Sequence, residues 1–499
     1  MKNFRILFLH EINQQVKSFK FLLTIILAVI ITFACTYVQV KDFNDRYDTY
    51  TEARNTANNL KNTFHVYSEF QIPVLIPPNP LSVFSKGYDE QVGNKIVISI
   101  LDLPELQTIE QKSNPFLSIF SNFDIVSIIS IILSIIAVFI VADTISGERE
   151  EEVLKLVFSH QVSRPVYFLA KYLGSMVILT IPLLLIFLIT LLYMQFQPVI
   201  KLDLADWGRI LEIFISCLLF LSVFILIGLM ISSFFSTGAV STLVGLIVWL
   251  LMVMIYPNTI DYIVAQTVNI PTTEELRASM QKLREERSVV YQENREKCGF
   301  PEGMSACQFW PDEGFCRRLF ITTKDYYKAS EKQVQLNLPV LLEYQDKELD
   351  VKGDYNAKLF KQKLIADYLK FPLPNTLLEK ASAKASSNDY RTRIIKIHED
   401  TRLFRSVVLD WLRDKGAFGL KFFTLMPEEE FRDNFQDYDE EAKQKYCYNH
   451  PLLNVDDAPA FIITNRFNVP YEMGILVILN IILLLAGIRI FTYSSLIKR

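Results

Sequence analysis

The chain has 499 residues, 51% hydrophobic and 21% charged, with a formal net charge of −4. So small a charge gives no electrostatic case for nucleic acid as a partner. The average conceals two unlike materials: apolar runs almost free of charge, and long stretches dense in Lys, Glu and Asp. A membrane protein with sizeable aqueous parts accounts for both.

Residues 1–19 read as an amphipathic helix. Phe4, Leu7, Phe8, Ile12, Val16 and Phe19 recur at three- and four-residue spacing against Lys2, Arg5, Glu11, Gln14 and Lys17. Such a helix lies in the headgroup layer; the pattern fits the aqueous start of the first spanning helix equally well. Residues 21–38 form the first span. A basic start and an apolar run also describe a secretory signal, but no convincing small-x-small cleavage site follows, and bulky Phe33 spoils the lipoprotein pattern before Cys35. An uncleaved anchor is the expectation. Residues 41–122 are polar, with a helical beginning at 42–64, a Pro-rich turn region at 72–80 and a short strand at 97–101. They form a small exported subdomain whose apolar residues suit packing against a larger neighbour.

Five further spans are expected at 125–141, 176–193, 210–231, 240–256 and 475–490. Pro182 bends the third. Few charged groups lie at mid-span, so there is no obvious ion relay, which argues against a proton-driven carrier. Orientation follows from short basic segments. Lys2, Arg5, Lys17 and Lys20 precede the first span, Arg149, Lys155, Arg164 and Lys171 lie between spans two and three, and Lys498 and Arg499 close the chain. Six spans bring all three groups to one side, which positive charge marks as cytoplasmic.

Residues 257–470 are then a second exported region, large enough for a domain. It reads as mainly helical, at 272–297, 355–368 and 377–412, broken by Pro372 and Pro374. The last stretch suggests a hairpin or stalk, with a small-residue patch at 381–387 suited to close helix contact. A flexible stretch dividing two shorter helices fits equally well.

Cys35 and Cys217 fall inside spans as packing residues. Cys298, Cys307, Cys316 and Cys447 all fall in the second exported region, where an even number of thiols suggests two disulfides of unknown connectivity. A zinc site is the rival reading, disfavoured because close Cys-x-x-Cys pairs are missing. The five histidines show no ligand spacing. No Gly-x-Ser-x-Gly, no His-Glu-x-x-His and no Gly-Lys dipeptide occurs, so hydrolase motifs and a phosphate-cradling loop are both missing. If ATP powers this protein, another chain binds it.

The most informative stretch is 145–174, a charged, helix-forming loop between spans two and three. Glu148, Arg149 and Glu150 put both charge signs within one turn, and Leu154, Val157 and Phe158 supply an apolar face. On charge pattern alone, a solvated loop with anchoring Lys and Arg is the better account. The order of motifs changes that. Gly147-Glu148-Arg149-Glu150, Leu154-Lys155-Leu156, Val162-Ser163-Arg164 and Lys171-Tyr172-Leu173-Gly174 resemble the cytoplasmic loop of ABC-2-type transporter permeases. The subgroup they most resemble includes nitrous-oxide-reductase maturation and gliding-associated permeases. Glu152-Val153 stand where relatives usually have Gly-Thr, and Gln161 where Pro is common.

The resemblance implies an α-helical polytopic membrane protein with six transmembrane helices, an N-terminal interfacial elbow helix, and a large, mainly helical extracytoplasmic domain between spans five and six. It implies a non-catalytic permease subunit in the bacterial cytoplasmic membrane with both termini inside. Two copies of a separate ABC ATPase subunit drive it, and ATP and Mg sit on that partner rather than on this chain. A second permease copy or paralogue completes the assembly within membrane lipid, and the exported domain suits a periplasmic protein partner or a gate. The residues expected to couple to the ATPase are Gly147, Glu148, Arg149, Glu150, Leu154, Phe158, Arg164 and Lys171. The alternative is a membrane-anchored receptor or scaffold without transport; a membrane-tethered hydrolase is the least supported.

Overall fold

The computed structural model describes residues 2–60, 63–89, 94–104, 106–107, 123–301, 322–371, 373–445, 452–461 and 470–494. It is mostly helical. A first helix, α1 (Lys2–Val16), precedes α2 (Phe19–Leu60). The helix α3 (Ile125–Glu150) leads through the short α4 (Val153–Ser159) to α5 (Arg164–Gln195), α6 (Leu204–Phe234) and α7 (Gly238–Thr267). Then come α8 (Thr273–Cys298), α9 (Lys324–Lys370), α10 (Pro374–Ala385), α11 (Ile397–Asp414) and α12 (Tyr471–Ser494). Six of these, α2, α3, α5, α6, α7 and α12, are long and apolar enough to cross a membrane. They are the six expected spans, each longer than its apolar run, because helix propensity and tertiary packing carry the backbone past the hydrophobic boundary.

Small and hydroxylated side chains set the closest approaches in the bundle, as expected where apolar burial between helices gives little driving force. Thr24, Ala28, Thr32 and Thr36 recur every fourth residue along the buried side of α2, and the Thr36 and Thr190 hydroxyls meet at 3.1 Å against α5. The indole of Trp249 on α7 donates to Ser134 Oγ at 2.8 Å. Asn480 on α12 donates to the Leu219 carbonyl of α6 at 3.0 Å.

Beyond the bundle, the two regions read separately in the sequence share a single hydrophobic core. Phe64, Tyr67, Phe70, Ile96 and Ile98 from the first pack with Val334, Leu338, Leu341, Phe404, Val408 and Leu412 from the second. A small antiparallel sheet has the order β1 (Gln71–Leu75), β2 (Lys95–Ser99), β3 (Leu106–Gln107). The expected strand at 97–101 is β2, two residues earlier. The Pro-rich turn region opens instead as strand β1, where Pro73 is tolerated because β1 is an edge strand.

The stretch 377–412 is neither one helix nor a stalk. It divides at Ser387, whose φ of 57° ends α10 in a left-handed turn. Its small-residue patch is buried: Ala381, Ser382 and Ser386 have no exposed surface. Through Leu378 and Ala385, α10 joins the bundle core, packing on α6 and α12 and so closing the end of the bundle opposite α4. Helix α8 starts at Thr273, one residue after the expected 272, because Thr272 is its N-cap and forms a reciprocal capping box with Glu275. At its other end Cys298 is a free, buried thiol that donates to the Asn294 carbonyl at 3.0 Å. Cys307, Cys316 and Cys447 lie outside the described residues, and with them the disulfide expectation.

Candidate functional site at the loop end of the bundle

The loop residues singled out in the sequence gather at one end of the bundle, and most of their charged groups turn inward. Lys171 on α5 is the centre. Its ammonium meets Glu148 Oε1 of α3 at 2.5 Å and also pairs with Glu11 of α1. Tyr167, one turn earlier on α5, donates its hydroxyl to Glu148 Oε2 at 2.5 Å. Gln15 donates to Glu11 Oε1 at 2.5 Å and to Ser175 Oγ at 3.0 Å. The Lys171 and Glu11 side chains are only 6% and 2% exposed. A buried cation between two carboxylates is costly to desolvate and holds only while every partner is in place.

The remaining charges cap helices. Arg149 donates to the carbonyls of Ser233 and Phe235 at 3.1 and 3.0 Å, where α6 ends and leaves acceptors unpaired. Glu150 accepts from the first amide of α7, Gly238, at 2.9 Å, so an anion meets a helix N-terminus. Arg164 donates to the Thr492 carbonyl in the last turn of α12 at 2.7 Å. Lys20 at the start of α2 pairs with Asp143 of α3 at 2.5 Å. Helix α1 and the ends of α2, α6, α7 and α12 are thereby tied to one short segment.

The apolar face of α4 also points home. Leu154 is 8% exposed within the bundle core, and the Phe158 ring lies 5.5 Å from Tyr167 and 6.2 Å from Phe491. Positions three and four apart make the buried stripe of a surface helix, so this face goes to its own bundle. What α4 and the residue before it present outward includes Glu152, Val153, Lys155 and Leu156, the last 68% exposed. Glu152 and Gln161 hold left-handed backbone, φ 60° and 55°. Glycine is the residue of least cost at the first, and proline cannot adopt the second. Gly147 is under no such demand, since a Cβ there would meet nothing within 4 Å.

Gly174 has a steric reason. A Cβ at that position would stand 2.7 Å from Glu11 Cγ, so the close packing of α1 on α5 depends on its absence. Periodicity puts Glu11 on the water-facing side of α1, yet it is buried. Periodicity weighs polarity along one helix and cannot see the cation on another. The sequence signal that marks it is Glu11 with Gln15, two polar groups one turn apart on the same stripe. Tyr167, Asp143 and Gly238 were likewise not singled out.

A model for the family described as ABC-2 family transporter protein matches residues 5–295, more than half of the chain. The chain belongs to that family. The match takes in the loop end of this ABC-2 protein and its first five spans, and stops before α9 to α12. No curated protein matches the chain. Among the described residues of this ABC-2 protein, no three His, Cys, Asp or Glu side chains converge as a metal site would.

Proposed function

We propose that this ABC-2 protein is the permease subunit of an ABC transporter. In this reading α4 receives motion from a separate ATPase, which binds ATP and Mg, and the loop end distributes it. The observation that carries the reading is that one segment, 143–171, is fixed by hydrogen bonds or ion pairs to α1 and to the ends of four other helices. A push on α4 therefore reaches several spans at once, which suits a shift between two arrangements of the bundle. Docking falls to the exposed Glu152, Lys155 and Leu156, while Glu148, Arg149, Glu150, Arg164 and Lys171 act as the linkage behind them. The basic residues flanking the loop put α4 in the cytoplasm, with the composite domain outside a bacterial inner membrane. A second permease copy, and kinship with the nitrous-oxide-reductase maturation and gliding-associated permeases, belong to the same proposal. The work done is export of a substrate or force delivered to an exported partner.

The test is a cysteine at Leu156, cross-linked in membranes that also carry a co-expressed Walker-motif ATPase from the same genome. A covalent product with that ATPase, absent when the cysteine replaces inward-facing Phe158, is the expected result. Failure to recover any ATPase from Leu156, Lys155 or Glu152 overturns the proposal.

A further inference from the structure

At the opposite end of the bundle, a cavity of about 1000 Å³ lies between α9, α10 and the outer turns of α3 and α12. One wall is aromatic. Phe360 stacks on Tyr390 with centroids 5.4 Å apart, and Tyr88 meets Tyr390 edge-on at 5.3 Å. The rest is densely ionised, and its lysines are already neutralised. Lys370 faces Asp261 at 2.6 Å, Lys384 faces Glu472 at 2.5 Å, and Lys86 faces Asp42 at 3.1 Å. Lys363 and Lys380 share Asp367 at 3.7 and 3.2 Å. These cations have little left to offer an incoming anion.

The acids are not used up in the same way. Glu379 on α10 lines the cavity, and among the described residues its carboxylate makes no hydrogen bond or ion pair. Its side chain is exposed to the lumen, with protein crowded around its base. Burial chiefly, and then Asp124, push its carboxyl up to about 7, with Asp261 adding to the push and Lys370 and Lys363 pulling the other way. A second, independent sign lies in the same wall. Glu472 is 1% exposed, and its Oε2 has no hydrogen-bond partner although Oε1 meets Lys384. A buried carboxylate oxygen without a donor is uncommon, and here it adds negative potential to a cavity whose lysines are already paired and whose one other lining cation, among the described residues, is the exposed Arg391.

We propose that this cavity binds a ligand through an ammonium group, with Glu379 as counter-ion and the Tyr88, Tyr390 and Phe360 wall against the ligand's apolar body. An ammonium supplies the donor and the charge that Glu379 lacks; Lys363 already stands 4.8 Å over the Tyr88 ring and 5.7 Å over that of Tyr390, so the wall offers the ligand apolar ring edges rather than a second cation site. The site lies away from α4 and does not depend on the ATPase reading.

The test titrates the full chain in mild detergent with 2-phenylethylamine, with 2-phenylethanol and 3-phenylpropionate as neutral and anionic counterparts. Saturable binding of the amine alone is expected, weakened about tenfold in E379Q, the loss of one charge-assisted hydrogen bond. E379D, which keeps the charge on a shorter arm, retains the preference for the amine. Equal binding of all three probes, or unchanged amine affinity in a folded E379Q, overturns the proposal. If E379Q does not fold, the comparison of probes on the unaltered chain still decides. Nanodiscs made with phosphatidylethanolamine or phosphatidylglycerol identify the source. Competition from the ethanolamine lipid assigns the ammonium to a headgroup, and its absence to a soluble amine; both agree with the proposal.

Discussion

The two ends of the helix bundle carry similar numbers of charged side chains and use them differently. At the loop end Glu148, Arg149, Glu150, Arg164, Lys171, Glu11, Lys20 and Asp143 all find partners within the protein, most of them at helix termini or in buried pairs. At the opposite end the lysines are matched, but Glu379 and one oxygen of Glu472 are left over. Satisfied charge at helix ends makes a rigid joint, because each group lost strands another in a low-dielectric setting. Unsatisfied charge beside a cavity stores no such rigidity and leaves the site ready for something else. On the two proposals made above, the contrast is one of transmission against reception, and substitutions at the two ends should behave accordingly.

The sharpest break is Lys171→Met. It leaves the Glu11 and Glu148 carboxylates facing each other without a cation, and should cost about 3–5 kcal/mol. Loss of folded protein on heating in detergent measures it, and E11Q together with E148Q should recover most of the loss. Second comes Gly174→Val. Its Cβ falls on Glu11 Cγ, so α1 must lift from α5 at about 1–3 kcal/mol. A cysteine at buried Gln15 should then become reactive toward a thiol reagent. Arg149→Ala strips two capping hydrogen bonds from the end of α6 and should cost about 2 kcal/mol, read by the same heating assay.

At the other end Glu379→Gln should change stability at pH 5 by less than about 0.5 kcal/mol, as surface-like positions do. It sharpens the comparison through pH. A carboxyl raised from its ordinary 4.5 to about 7 in the folded state is protonated more readily there than in the unfolded chain. Its ionisation therefore penalises folding increasingly as pH rises from about 4.5 to about 7. That part of the pH slope should vanish in E379Q, whereas at the loop end E150Q should leave it intact.

How much of this is visible in sequence differs by the range of the interactions involved. The six spans are legible because each is a local property of some twenty consecutive residues. Helix α8 is legible to within one residue because its cap, Thr272 with Glu275, is local as well. The inward turn of Glu148 and Glu11 is not, since it depends on Lys171, and Glu11 lies 160 residues from it in the chain. The left-handed Ser387 is equally hidden. Nothing in Ser386-Ser387-Asn388 marks the turn until the Asn388 side chain donates to the Ser85 carbonyl at 2.9 Å, and the Gly87 backbone comes so near Asn388 that a Cβ would sit 2.5 Å from its carbonyl oxygen. The family motifs single out 145–174, but they do not distinguish side chains that face outward, such as Leu156, from those that hold the stretch in place, such as Glu148.

The shared core beyond the bundle has a consequence for biogenesis. Gln345 of α9 donates to the carbonyl of Ile100, 245 residues upstream, and the Leu453 amide donates to that of Phe64. During synthesis Phe64, Phe70, Ile96 and Ile98 thus emerge long before the helices that cover them, and closure of so wide a loop is slow. A chain stopped after residue 301 should display these side chains to proteases and chaperones, while its first five spans are already inserted.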